Sequence, residues 1–173
     1  MISLKQTLSA AHAREMIETS KSKANALKVA CSIAVIGQDG HLLSFERLDG
    51  AISGSVELAI NKAFTAQIFN NGTERLSELA QPGAELFGIQ HSHNGRVVVF
   101  GGGIPIQFQG QAIAAIGVSG GTVAEDVAIA EAGAKILGDL LTNANASCDA
   151  ASVNNTKAPE TTGSTQGNNH ARA

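Results

Sequence analysis

Apolar residues recur at helical spacing in three long stretches of the chain and at strand spacing between them. Over residues 8–28, Ala13, Ile17, Ala24 and Leu27 fall near one face, and Ser9 stands where an N-cap is needed, so a helix is predicted there. "VACSIAVIG" (29–37) is short, apolar and β-branched, and reads as a buried strand. "QDG" then turns the chain, and "HLLSFERL" (41–48) returns as the second strand of a hairpin. Over 54–72, Val56, Ala59, Ile60, Ala63 and Phe64 follow the i, i+3, i+4, i+7, i+8 pattern of a second helix, with Gly72 as its stop. Glu74 to Ala80 fits a short third helix closed by "QPG".

Four short runs follow: "LFGIQ", "GRVVVF", "IPIQFQ" and "QAIAAIGVS". Asn94-Gly95 and Gln109-Gly110 are hairpin-turn pairs between them. The last helix is predicted over 122–141. Thr122 and Glu125 have capping-box spacing, and the apolar stripe runs through Val123, Val127, Ala130, Ala134, Leu137 and Leu141. Strands joined by two-residue turns are antiparallel. The predicted class is therefore α+β: one antiparallel sheet of about five strands flanked by helices. After Leu141 the composition turns to Asn, Thr, Ala and Ser, which cannot bury enough surface to offset ordering entropy. The expected organisation is one domain over 1–141 and a disordered polar tail over 142–173.

Composition narrows the function classes. The hydrophobic fraction of 43% supports a packed core, but the only aromatics are six Phe, with no Trp and no Tyr. That argues against a stacking platform for single-stranded nucleic acid. A net charge of −3 without a basic patch argues against a phosphate-backbone partner. No run is long enough for a membrane span or a secretory leader, so an unprocessed cytoplasmic chain is expected. Cys31, in an apolar run, reads as a small core residue, and a disulfide to Cys148 in the polar tail is not expected.

The glycine clusters at 101–103 and 120–121 raise the question of a phosphate cradle. "GVSGGT" lacks the Lys of a Walker loop, and its spacing is not G-x-G-x-x-G in a parallel unit. The glycines read instead as sharp turns. A narrower possibility is that N–H groups at 121–124 receive a ligand carboxylate at a helix N-terminus.

Taken in order, "DGHLLSFERLDGA", "AINKAFTA", "PG…FGI", "FGGGIP" and "AIGVSGGTVAEDVAIAEAG" resemble the GlcG/HbpS-like haem-binding family, whose domain also forms the C-terminal half of PduO proteins. The resemblance covers about residues 8–141. It implies an antiparallel sheet with profilin-like layering and homo-oligomers, often octamers. It also implies haem as a cofactor in some members and an accessory role in catabolic operons for others. The chain departs from the family pattern where Gly37 replaces an Asp, Leu48 a Met and Gly101 a Pro. Loss of the Asp removes a carboxylate beside the hairpin turn.

Haem requires an apolar slot, a basic group for its propionates and usually an axial ligand. His12, near the start of the first helix, is the candidate metal ligand; its alternative is a solvated surface histidine. Arg47 and Asp49, in "ERLDGA", suit a ligand carboxylate or, equally, an ion pair at a subunit contact. Lys62 and Thr65 lie one turn apart on an Ala-rich helix face that would line a pocket or an oligomer seam. Gly120, Gly121 and Thr122 complete the candidate cofactor-binding set. His91 and His93, if on a strand, would share one side. Ser92 and Ser119 form no hydrolase set, and Asp126 and Glu131 read as a solvated face. No constellation points to acid–base catalysis. Three functions follow: a haem or tetrapyrrole module, an accessory protein or enzyme for a small organic acid, or a ligand-free structural oligomer.

Overall fold

The computed structural model describes residues 7–137. The expected tail over 142–173, with Cys148, lies outside them. Helix α1 spans Ala10–Leu27, and Ser9 caps it by accepting a hydrogen bond from the His12 N–H at 3.2 Å. Strands β1 (Ser32–Gly37) and β2 (Leu42–Arg47) form the expected hairpin. Helices α2 (Ser55–Phe69) and α3 (Thr73–Leu79) follow. Strands β3 (Gly103–Phe108) and β4 (Gln111–Ser119) form a second hairpin through Gln109 and Gly110, both at positive φ. Helix α4 occupies 123–137.

The sheet has four strands in the order β2-β1-β4-β3, every pair antiparallel. The two central strands are buried along nearly their whole length because helices cover both faces. On one face, Ile33, Val35, Ile116 and Val118 meet Met16, Ile17 and Ala24 of α1 and Ile129 and Ala130 of α4. On the other, Ile36 and Ala115 meet Ala63 and Ala66 of α2. Small residues let α2 lie almost on the sheet: a Cβ at Gly117 would fall on the Ala59 carbonyl and the Ala63 amide. The Ser20 hydroxyl, donating to the Ile129 carbonyl at 2.9 Å, ties α1 to α4.

Three expectations are corrected. "LFGIQ" and "GRVVVF" are not strands. Gly88, His93, Asn94 and Gly95 all take positive φ, which breaks an extended run into two short 3₁₀ turns at Ile89–His91 and His93–Gly95. Asn94-Gly95 is therefore no hairpin turn, and the sheet has four strands where about five were expected. Helix α2 ends at Asn70, in the left-handed conformation, rather than at Gly72, which is extended and precedes α3. The buried stripe of α4 passes through Asp126, Ile129, Ala130, Gly133 and Leu137, so Val123 is left exposed.

Candidate functional site

One end of the sheet gathers the C-terminus of α1, the ends of β2 and β4, and the N-termini of α2 and α4. Register explains this: Ser32 pairs with both Arg47 and Ser119, and its hydroxyl lies 2.8 Å from that of Ser55 at the start of α2. Four of the residue groups singled out in the sequence meet at or near this end.

Lys62 lies beneath it, wholly buried. Its ammonium donates to the Asp126 carboxylate at 2.8 Å and to the Val118 carbonyl at 2.9 Å, and stands 4.6 Å from the centroid of the Phe100 ring. Its donors are thus met by a carboxylate, a carbonyl and an aromatic face. Gly102, at φ 111°, makes room: a Cβ there would sit 2.9 Å from the Lys62 Nζ. Asp126 is 3% exposed and also accepts from the Gly121 N–H at 2.9 Å. The reading of Asp126 as solvated is therefore corrected. It stands three and four residues before Ile129 and Ala130, on the buried stripe, and that spacing was the signal available in the sequence. Burial lowers the Lys62 pKa and raises that of Asp126, while their hydrogen bond and mutual charge pull both back. Burial also pushes the Cys31 thiol up to about 11, which makes it an unreactive core group.

The turn into α4 is filled by the chain's own carboxylates. The Gly121 N–H goes to Asp126, and the Thr122 N–H and hydroxyl go to Glu125 at 2.8 and 2.9 Å. Those hydrogen bonds hold the Glu125 carboxyl below its ordinary range. The amides of Gly121 and Thr122, expected to be free for a ligand, are thus already engaged. Gly120 packs against the backbone of Ala30 and Cys31. Thr65 is also structural: its hydroxyl donates to Asn61 O at 2.7 Å and accepts from the Val98 N–H at 3.0 Å, anchoring the irregular segment.

Arg47 and Asp49 open instead onto a cleft of about 420 Å³ beside the end of α1, lined also by Lys21, Lys28 and Glu46. Arg47 donates through Nε and Nη2 to the Ala51 carbonyl at 3.1 and 2.6 Å, which orients its guanidinium. Lys21 pairs with Glu46 at 2.6 Å, a hydrogen bond that raises the lysine pKa.

His12 stands apart. It is exposed on the first turn of α1, and its imidazole makes no hydrogen bond among the described residues. From His12 to Lys28 the helix runs roughly 24 Å at 1.5 Å per residue. The structure therefore does not unite His12 with Arg47 and Asp49 around one macrocycle in a single chain. His91 and His93 sit in the 3₁₀ turns; His93 shares a hydrogen bond with Ser92 at 2.9 Å and lies edge-on to Phe64 and Phe69.

A four-stranded antiparallel sheet layered between α1–α4 and α2, with a buried Lys–Asp pair at one end, defines a small layered α+β domain. Residues 8–135 match the family model described as haem degrading protein HbpS-like, and the chain belongs to that family. It is 38% identical over 125 residues to a 15.0 kDa protein of the dhaT–dhaS intergenic region of Citrobacter freundii, covering 72% of this chain and 88% of that one. It is 34% identical to the corrinoid adenosyltransferase PduO of the same organism over 72% of its own length, but spans only 37% of that protein. Among solved structures, the complex of PduOC with heme superposes with a TM-score of 0.72 at 32% identity, over 75% of this chain and 94% of that one. The Klebsiella pneumoniae protein ORFY superposes with a TM-score of 0.75 at 35% identity, over 78% and 92%.

Proposed function

We propose that this protein binds haem or a related tetrapyrrole as a homo-oligomer, with His12 as the axial ligand. The carrying observation is the exposed imidazole of His12 on a well-capped helix, without a hydrogen bond among the described residues. The heme complex of a relative 32% identical supports the reading. Imidazole is a good iron ligand, and the turn that presents it is capped by Ser9 through the His12 N–H. Bound haem would supply a redox-active iron centre. The chain would contribute the donor, apolar cover and exclusion of water.

The donor fits, but the cover is incomplete in one copy. The pocket near the start of α1, lined by Leu8, Leu43, Gln38 and Asp39 and not by His12, measures about 140 Å³, well under the 300–1,000 Å³ of pockets that enclose a ligand. A second copy completes the slot in this reading. Haem-loaded protein is then expected to sediment as an assembly larger than one chain, and dilution to protomers releases the haem. Retention of haem by a monomer in sedimentation velocity contradicts this.

The cleft at Arg47 favours a second reading, a site for a small organic acid. Arg47 and Lys28 face it together with Asp49, and of its three basic residues Lys21 alone is ion-paired among the described residues. Arg47→Ala is expected to weaken succinate binding roughly tenfold by calorimetry. Unchanged succinate affinity would remove this reading and leave haem binding untouched.

A further inference from the structure

The sheet has two edge strands, and they differ. Beside β3 the Val118 N–H donates to the Gly102 carbonyl at 2.8 Å, so the alternation of an antiparallel ladder turns the backbone groups of Gly103 and Pro105 outward. Gly103 donates its N–H to the Thr73 hydroxyl at 2.9 Å, and Pro105 has none to give. That edge is blunted against a further strand. Beside β2 the Leu48 N–H donates to the Cys31 carbonyl at 3.0 Å. Ser44 and Glu46 therefore turn their backbone groups to β1, and Phe45 and Arg47 turn theirs to the open edge. The strand carries none of the Pro, Gly or Lys residues that blunt edges.

The face beside this open edge is apolar. Phe45 and Leu42 stand opposite Ala34 and Ile36, on the side of the sheet where Ile36 meets Ala63 and Ala66. On that side α2 packs over β1, β4 and β3. Leu42 is 48% exposed and Phe45 half-buried. Charge and register then select the occupant. A second copy of β2 brings the same outward groups, antiparallel about a two-fold axis. An axis at Glu46 or at Arg47 would set that residue against itself, and like charges directly opposite are destabilising. An axis at Ser44 draws in Leu43, which the register shift between Val35 and Ile36 leaves out of the ladder. An axis at Phe45 sets ring against ring and Glu46 opposite Ser44, all within the regular run of β2.

We infer that a second copy of this chain adds to β2, antiparallel about a two-fold axis at Phe45, and joins the two sheets into one. The Phe45 N–H of each copy donates to the Phe45 carbonyl of the other, and the two rings meet on the face beside α2. This rests on the homo-oligomeric reading above and adds the surface through which the copies meet. Because the β3 edge is blunted, strand addition stops at a pair rather than running on from copy to copy.

The test is oxidative cross-linking of the full chain carrying Phe45→Cys and Cys148→Ser; Cys31 is wholly buried. At the axis the two Cα atoms stand about 5.5 Å apart, within disulfide reach, whereas two Ser44 residues are diagonal and beyond it. Diamide is expected to link Phe45→Cys chains into dimers and to leave Ser44→Cys chains single. In sedimentation equilibrium Ser44→Glu, which opposes Glu46 twice, is expected to weaken self-association about fivefold, and Ser44→Lys is expected not to weaken it. This pair decides the matter if Phe45→Cys folds poorly. A native chain that sediments as a single copy overturns both the inference and the homo-oligomeric reading. Native assembly with no cross-link at Phe45→Cys, a cross-link at Ser44→Cys in its place, or equal association of Ser44→Glu and Ser44→Lys overturns the inference alone.

Discussion

Asp126→Ala destabilises the fold by about 3–5 kcal/mol, the range for breaking a buried ion pair by deleting one partner. The substitution leaves the Lys62 ammonium wholly buried with only the Val118 carbonyl and the Phe100 ring for company among the described residues. It also frees the Gly121 N–H that Asp126 holds at the entry to α4. Two features separate this from a simple packing loss. Lys62→Met with Asp126→Leu in one chain recovers most of the stability, because no charge remains to be desolvated. The pH dependence also has a defined sign. Burial already holds the Lys62 pKa below 10.5, and loss of Asp126 removes the hydrogen bond and charge that raise it. Between the folded pKa and 10.5 the unfolded chain binds more protons, so the variant gains stability as pH rises through that window. Denaturant unfolding at several pH values checks both points. A loss within about 1 kcal/mol, the value of an exposed pair, contradicts the account.

Gly117→Ala is the second large effect, about 3 kcal/mol or more, although it adds one methyl group. Its Cβ would fall on the Ala59 carbonyl and the Ala63 amide, both backbone atoms of α2. Relief requires the helix to lift from the sheet. That opens the layer formed by Ile36, Ala63, Ala66 and Ala115 and strains the Lys62–Asp126 contact, which crosses the same layer. Gly54→Ala is the matched control. No atom stands within 4 Å of where its methyl group would lie, and its φ is −63°, so its effect stays within about 0.5 kcal/mol. Equal thermal stability of the two variants would show that α2 does not rest on Gly117 as described.

Much of the fold was legible because it is written locally. Ser9 and the Thr122–Glu125 box mark helix starts through side chains within one turn, and the structure shows both sets of hydrogen bonds. The β1–β2 and β3–β4 hairpins follow from turn residues next to apolar runs. The segment around residues 84–100 was misread because apolar content alone does not distinguish a strand from a loop that packs on a helix. Its course is set by Thr65, Asn61 and Phe64, some 30 residues away, through Val98 and Arg96.

The site divides for a similar reason. His12 and Arg47 both read as ligand-facing, but His12 stands in the first turn of α1 and Arg47 at the end of β2 beside the last turn of α1, at opposite ends of the sheet. Lys62 and Asp126 are 64 residues apart, and neither announces the other. Only the face of α4 on which Asp126 falls hinted at its burial. The buried side-chain oxygens of Gln38, Gln67 and Gln90, without a partner among the described residues, had no sequence signal at all, since an amide reads as polar surface until its surroundings are known.

The central claim is that His12 carries a haem iron, and a haemin titration followed in the visible range tests it most directly. With no Trp and no Tyr, the protein contributes little absorbance of its own near 280 nm, and bound haem dominates the spectrum. The native chain is expected to give a saturable Soret shift. His12→Ala, which changes an exposed side chain on a helix capped by Ser9, is expected to fold normally and lose that shift. An unaltered shift in His12→Ala, or no saturable shift in the native chain, contradicts the account.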